Sequence, residues 1–142
     1  MKKLFISLLL LFPLILMAAP PAAIKNIDPK STQISKQEAY WIYSFKTRYW
    51  SDGGRITVFL LDFDNPLHIS FVKDTLGVNP IVFRQNVESY TNLGLASYRT
   101  VSSEFEMFRM VSKIPGSVGY VSDRLLIINS GDNYVRQITI TD

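Results

Sequence analysis
The chain contains no cysteine. No disulfide can form, no thiolate can serve as nucleophile or metal ligand, and the acylated cysteine of a bacterial lipoprotein is excluded. Histidine is nearly absent as well, with His68 alone among 142 residues. A hydroxyl nucleophile needs a neighbouring base, so one histidine leaves little material for triad chemistry. Neither a Gly-x-Ser-x-Gly elbow nor a His-Glu-x-x-His helix occurs. There is no internal repeat, no low-complexity tract and no basic stripe of the density that nucleic-acid binding requires. These absences point away from an enzyme and from a nucleic-acid partner, and no cofactor is expected.

What is present begins at the amino terminus. Lys2 and Lys3 precede Leu4 to Met17, an almost unbroken apolar run, and Ala18, Ala19, Ala22 and Ala23 follow it. A basic start, an apolar middle and small residues for cleavage make the pattern of a secretory signal peptide. The run carries Pro13 and falls short of the ~20 residues that cross a bilayer. The expectation is a signal peptide over residues 1–23, cut between 19 and 23, with no membrane span left and a periplasmic or secreted location. Its removal takes two lysines and no acid from the 15 basic and 12 acidic side chains, so the remaining charge is close to balance. Residues 24–142 suit one domain with one core and are too few for two lobes.

Along that domain the punctuation is local and readable. Ile24 to Ile27 reads as a brief edge strand ahead of Pro29. Ser35 and Glu38 form a capping box for a helix from Lys36 to about Phe45. Trp50-Ser51-Asp52-Gly53-Gly54 is a turn, and Arg55 to Leu61 a buried strand. Asn65-Pro66 and Asn79-Pro80 each combine a cap with proline at the first helical position, predicting helices to Leu76 and Leu93 that close on Gly77 and Gly94. An extended piece spans Ala96 to Val101. Ser103 and Glu106 form another capping box for a helix that Pro115-Gly116 ends, and Ser117 to Val121 is a strand whose Gly119 admits a close neighbour. Arg124 to Asn129 and Tyr134 to Ile140 read as a closing hairpin joined by Ser130-Gly131-Asp132-Asn133. The fold class is therefore α/β, a mixed β-sheet with packed helices.

The junction Ile114-Pro115-Gly116-Ser117-Val118-Gly119-Tyr120-Val121, together with Ile34 to Glu38, Trp50 to Ile56 and Phe71 to Gly77, resembles the C-terminal part of the phosphate-binding subunit of ABC-type phosphate transporters. The likeness spans about residues 34–122 and rests on order and spacing. It implies one lobe of the type 2 periplasmic-binding-protein fold. It also implies that an anion site would lie at a helix amino terminus, held by an Arg, a Ser and a Thr beside a glycine.

In this chain the matching position is Asp62 to His68, which holds neither an arginine nor a Ser-Gly-Thr triplet. Pro66 lacks an amide donor, and Asp62 and Asp64 add negative charge where a dianion would come. Asn65, His68 and Ser70 are the polar side chains left as candidate ligand-binding residues. Read without a ligand, Asn65 is a cap, the acids complement the dipole and His68 is a solvated side chain. Asp62 and Asp64 fall short of a calcium loop, since Leu67 and Lys73 occupy its glycine and glutamate positions. The aromatic residues Tyr40, Trp41, Tyr43, Phe45, Tyr49 and Trp50 exceed what one helix face buries, so part of them is available to a partner. Two functions follow as expectations. One is a periplasmic solute-binding or accessory role in phosphate or other oxyanion uptake; the other is a ligand-less envelope interaction module or homodimer derived from such a lobe.

Overall fold
The computed structural model describes residues 19–29, 33–96 and 98–142. The leader stretch 1–18, and with it most of the expected signal peptide, lies outside the described residues. The elements are β1 (Ala22–Asn26), β2 (Gln33–Ser35), α1 (Lys36–Tyr43), β3 (Thr57–Leu60), α2 (Pro66–Ser70) continuing as a π-turn (Phe71–Thr75), α3 (Pro80–Asn92), β4 (Arg99–Thr100), α4 (Glu104–Lys113), β5 (Ser117–Val121), α5 (Asp123–Ile128), β6 (Val135–Gln137) and β7 (Thr139–Thr141).

Five strands form a mixed sheet in the order β4-β3-β5-β1-β6, with β4, β3 and β5 parallel and β1 antiparallel to both β5 and β6. Alternation along β5 assigns its two faces. Gly119 faces α4, where an added Cβ would lie 2.5 Å from Met107 Sδ and 3.1 Å from Val111 Cγ2. Tyr120 faces the other way and stacks on Phe71 at 4.2 Å between ring centroids. On that second face Tyr43 of α1 donates its hydroxyl to Gly119 O at 2.6 Å and meets Phe71 edge-on. Helices thus cover both faces of the sheet, which makes a mixed α/β architecture. The core is one contiguous cluster running through β1, β3, β5, α1, the π-turn, α3 and α4.

The local signals settle where expected. The Ser35–Glu38 box is present in both directions, Asn65 and Asn79 accept from Leu67 N and Ile81 N, and Gly77, Gly94 and Gly116 take positive φ. Helix α1 stops two residues before Phe45 because Phe45 itself adopts φ 68°, a left-handed closing position that ends the helix without a glycine. At α4 the cap forms, Ser103 Oγ accepting from Glu106 N at 3.1 Å, but the glutamate reaches one residue further back than a capping box requires. Its carboxylate accepts from Ser102 N at 2.8 Å and Ser102 Oγ at 2.5 Å.

Three expectations are corrected. β1 is an interior strand, and all five of its residues are buried. Lys25 in its middle is 1 % exposed, and its ammonium donates to the carbonyls of Asn26 and Pro29, with burial holding its pKa below the usual lysine value. Arg124 to Asn129 is helix α5 instead of a strand, because Ser122 Oγ caps Leu125 N at 3.2 Å and Asp123 supplies a first-turn acid. The closing hairpin does not form. The free edge of β1 draws in β6 through Ile24↔Gln137 and Asn26↔Val135, while β7 departs to pair in parallel with β2 through Gln33↔Thr139.

Candidate functional site
In sheets of this kind ligands bind beyond the carboxyl ends of the parallel strands, where the following helices begin. Here β3 leads through Asp62–Asn65 into α2, β4 through Val101–Ser103 into α4, and β5 through Ser122 into α5. Three helix starts therefore meet one edge.

Each start already has an acceptor from within the chain. Asn65 Oδ1 accepts from Leu67 N at 2.9 Å, and Pro66 contributes no donor. Ser103 and Ser122 cap their own helices. Beyond the caps, Glu104 of α4 reaches across to the start of α5, where its two oxygens accept from Ser122 N at 3.1 Å and Ser122 Oγ at 2.9 Å. Glu106 holds Ser102 in the same manner, and the Ser102 hydroxyl followed by its amide keeps that carboxyl below the ordinary glutamate pKa. A carboxylate on amide and hydroxyl donors at a strand's end takes the place that an external oxyanion would take. With Asp62, Asp64 and Asp123 alongside, this edge carries an excess of negative charge.

The three candidate ligand residues fall into different surroundings. Asn65 is the α2 cap. Ser70 donates its hydroxyl to Asp74 at 2.9 Å along the helix surface. His68, expected in solvent when unliganded, is 1 % exposed because α2 turns it onto the sheet between Phe63, Phe83 and Tyr120. The Tyr120 hydroxyl accepts from Leu61 N at 2.8 Å and lies 2.6 Å from His68 Nδ1. Nε2 is the one buried side-chain polar atom without a partner among the described residues. The ring of Phe63 packs against His68 edge to face at 5.3 Å, and Arg84 covers Phe63 at 5.2 Å. Burial lowers the His68 pKa to about 4, against a smaller opposing influence of Asp62. The imidazole is thus a neutral core group.

Sequence reasoning missed Glu104 and Ser122. The signal was present, since Ser122-Asp123 is a cap followed by a first-turn acid, but the apolar run Leu125 to Ile128 masked it. Of the aromatic residues between 40 and 50, Tyr43 and Phe45 are buried, Tyr40, Trp41 and Trp50 are half-buried, and Tyr49 is exposed. Trp41, Tyr49 and Trp50 line a cleft of about 360 Å³ with Ile42, Ile34 and Glu38.

No protein-family model matches the chain, and no curated protein matches it significantly. Solved structures do. An ABC-type phosphate transport receptor from Vibrio cholerae superposes with a TM-score of 0.59 and 20% identity, over 87% of this chain and 47% of its own. PstS from Borrelia burgdorferi gives 0.60 and 17%, over 89% and 51%. A protein described as a possible phosphate binding protein from Planctomyces limnophilus gives 0.63 and 13%, over 87% and 42%. This chain spans about half the length of the structures it matches, and at these identities the likeness establishes the fold.

Proposed function
We propose that this chain is an exported periplasmic protein built on a single lobe of the phosphate-receptor type, with a solute-binding or accessory role in phosphate or oxyanion uptake. The observation that supports it is the superposition of nearly the whole chain on one half of several phosphate receptors, behind a leader of signal-peptide composition. The reading rests on likeness of fold, with the site argued separately. The role proposed is binding or assistance and not catalysis. Calorimetric titration of the processed protein with phosphate and other oxyanions tests the binding role. Heat at micromolar to millimolar ligand supports it, and silence throughout leaves only the accessory role.

A second reading, an envelope interaction module or homodimer without ligand, is favoured by one observation. The chain's own Glu104 and Glu106 occupy the donors at the edge where a ligand would sit. Light scattering showing a strict monomer, with no partner recovered by crosslinking in cells, would remove this reading.

Export carries its own expected result. Pro21, Ala22 and Ala23 are buried, Ala22 and Ala23 pair with Val121 and Tyr120, and Thr75 donates its hydroxyl to Pro21 O at 2.6 Å. Intact-mass measurement of the secreted protein should therefore find a first residue no later than Pro21. A mature chain starting at Ile24 would lack the opening of an interior strand and would contradict the pairing.

A further inference from the structure
The opposite end of the parallel strands offers what the carboxyl edge lacks. Arg55, Ile56, Thr57 and Arg99 line a cleft of about 250 Å³ where β3 begins beside the edge strand β4. Arg55, Thr57 and Arg99 line one space, and two guanidinium groups with a threonine hydroxyl are a donor set suited to a phosphoryl group, since each fork can give two parallel charge-assisted hydrogen bonds. Among the described residues Arg84–Glu88 is the ion pair that forms, so neither Arg55 nor Arg99 is bound to a carboxylate. Asp28 and Asp52 share the adjoining cleft with Arg55, but Asp52 Oδ1 is engaged by Gly54 N at 2.9 Å.

The backbones beneath both arginines are fixed. Arg55 pairs with Tyr49 across the Trp50–Gly54 turn, which Trp50 N closes onto Gly54 O at 2.7 Å, and Ile56 N donates to Arg48 O at 2.9 Å. Gly116 lies against the same strand so closely that a Cβ there would sit 2.5 Å from Arg55 O. Arg99 is registered opposite Phe59 in the sheet. The turn that the sequence marks so strongly thereby sets Arg55 beside Arg99. Only the side-chain tips need to order around a ligand, which keeps the entropic cost of binding low.

We propose that Arg55, Thr57 and Arg99 form a binding site for a phosphoryl group, supplied either as a free oxyanion or as an anionic lipid headgroup. The site deepens the oxyanion reading above but fails independently of it. The test is amide and arginine Nε–H NMR of the processed protein during titration with inorganic phosphate. A parallel arm uses sedimentation with phosphatidylglycerol vesicles against phosphatidylcholine vesicles. Shifts should concentrate on Arg55, Thr57 and Arg99. Arg55→Gln and Arg99→Gln should each weaken the interaction about tenfold, the equivalent of ~1.4 kcal/mol. Both arginines are exposed, so the melting temperature should hold, separating lost binding from lost fold. A response to phosphate alone assigns a free oxyanion, and a response to phosphatidylglycerol alone assigns the headgroup. Phosphate shifts centred on Asn65 and insensitive to both arginine changes would overturn this site while leaving the uptake reading standing. No response to phosphate or to either vesicle would also overturn it, and would leave an accessory role untouched.

Discussion

Gly119→Val is expected to abolish the fold, and Gly119→Ala to destabilise it by about 2–3 kcal/mol, near the upper end for overpacking a tight core. An added Cβ would meet Met107 at Sδ (2.5 Å) and Cγ (3.0 Å) as well as Val111 Cγ2 (3.1 Å). Met107 and Val111 are both fully buried, so neither has solvent to retreat into. The sheet cannot yield either, because Gly119 lies in β5 between β3 and β1, with its own carbonyl fixed by the Tyr43 hydroxyl. The cause can be isolated by a double-mutant cycle in denaturant. If the Met107 sulfur is the obstacle, Gly119→Ala combined with Met107→Ala should cost less than the two single changes added together, by about 1–2 kcal/mol. Strict additivity would show that the close approach of α4 to β5 does not govern this position.

The second large effect concerns acid. His68 is neutral in the folded protein with a pKa lowered to about 4, whereas an unfolded histidine titrates near 6.5. Its contribution is therefore fully present above pH 6.5. Between 6.5 and 4 the unfolded chain takes up a proton that the folded chain refuses, so stability falls as pH falls. The loss attributable to this one ring is roughly 2–3 kcal/mol, a large share of what a domain of this size has to spare. Urea denaturation at steps between pH 7 and 4 should show a decline in the wild type that is shallower in His68→Gln by that amount. The carboxylates titrate in both proteins and drop out of the difference. Parallel declines would show that His68 is not the acid-sensitive group.

Signals that act within four residues were legible from the sequence. Asn65-Pro66, Asn79-Pro80, the Ser35–Glu38 box and the glycines 77, 94 and 116 all do locally what their chemistry dictates. What stayed hidden depends on partners far along the chain. Ile24 to Ile27 gives no indication that strands from residues 117–121 and 135–137 will flank it, so an interior strand containing a lysine reads as an edge. The run Leu125 to Ile128 suits a strand as well as a half-buried helix, and a cap at Ser122 decided between them. The candidate site divides on the same line. Asn65 was recognisable as a cap, but the burial of His68 depends on Tyr120, 52 residues away, and the closure of the α5 start depends on Glu104, 18 residues away.

The position of β1 also bears on the order in which the molecule can be made. The first strand among the described residues is an interior one, hydrogen-bonded on one side to β5 and on the other to β6, while the last strand, β7, returns to β2 near the beginning. A chain that emerges from its amino end has nothing to zip that strand against until more than 90 residues have followed it, judging by the Ala22↔Val121 pairing. Closing such long loops before any contact rewards them makes folding slow. A nascent chain of this topology keeps its first described strand unpaired until β5 arrives late in the sequence, so the sheet closes only when most of the chain has been made.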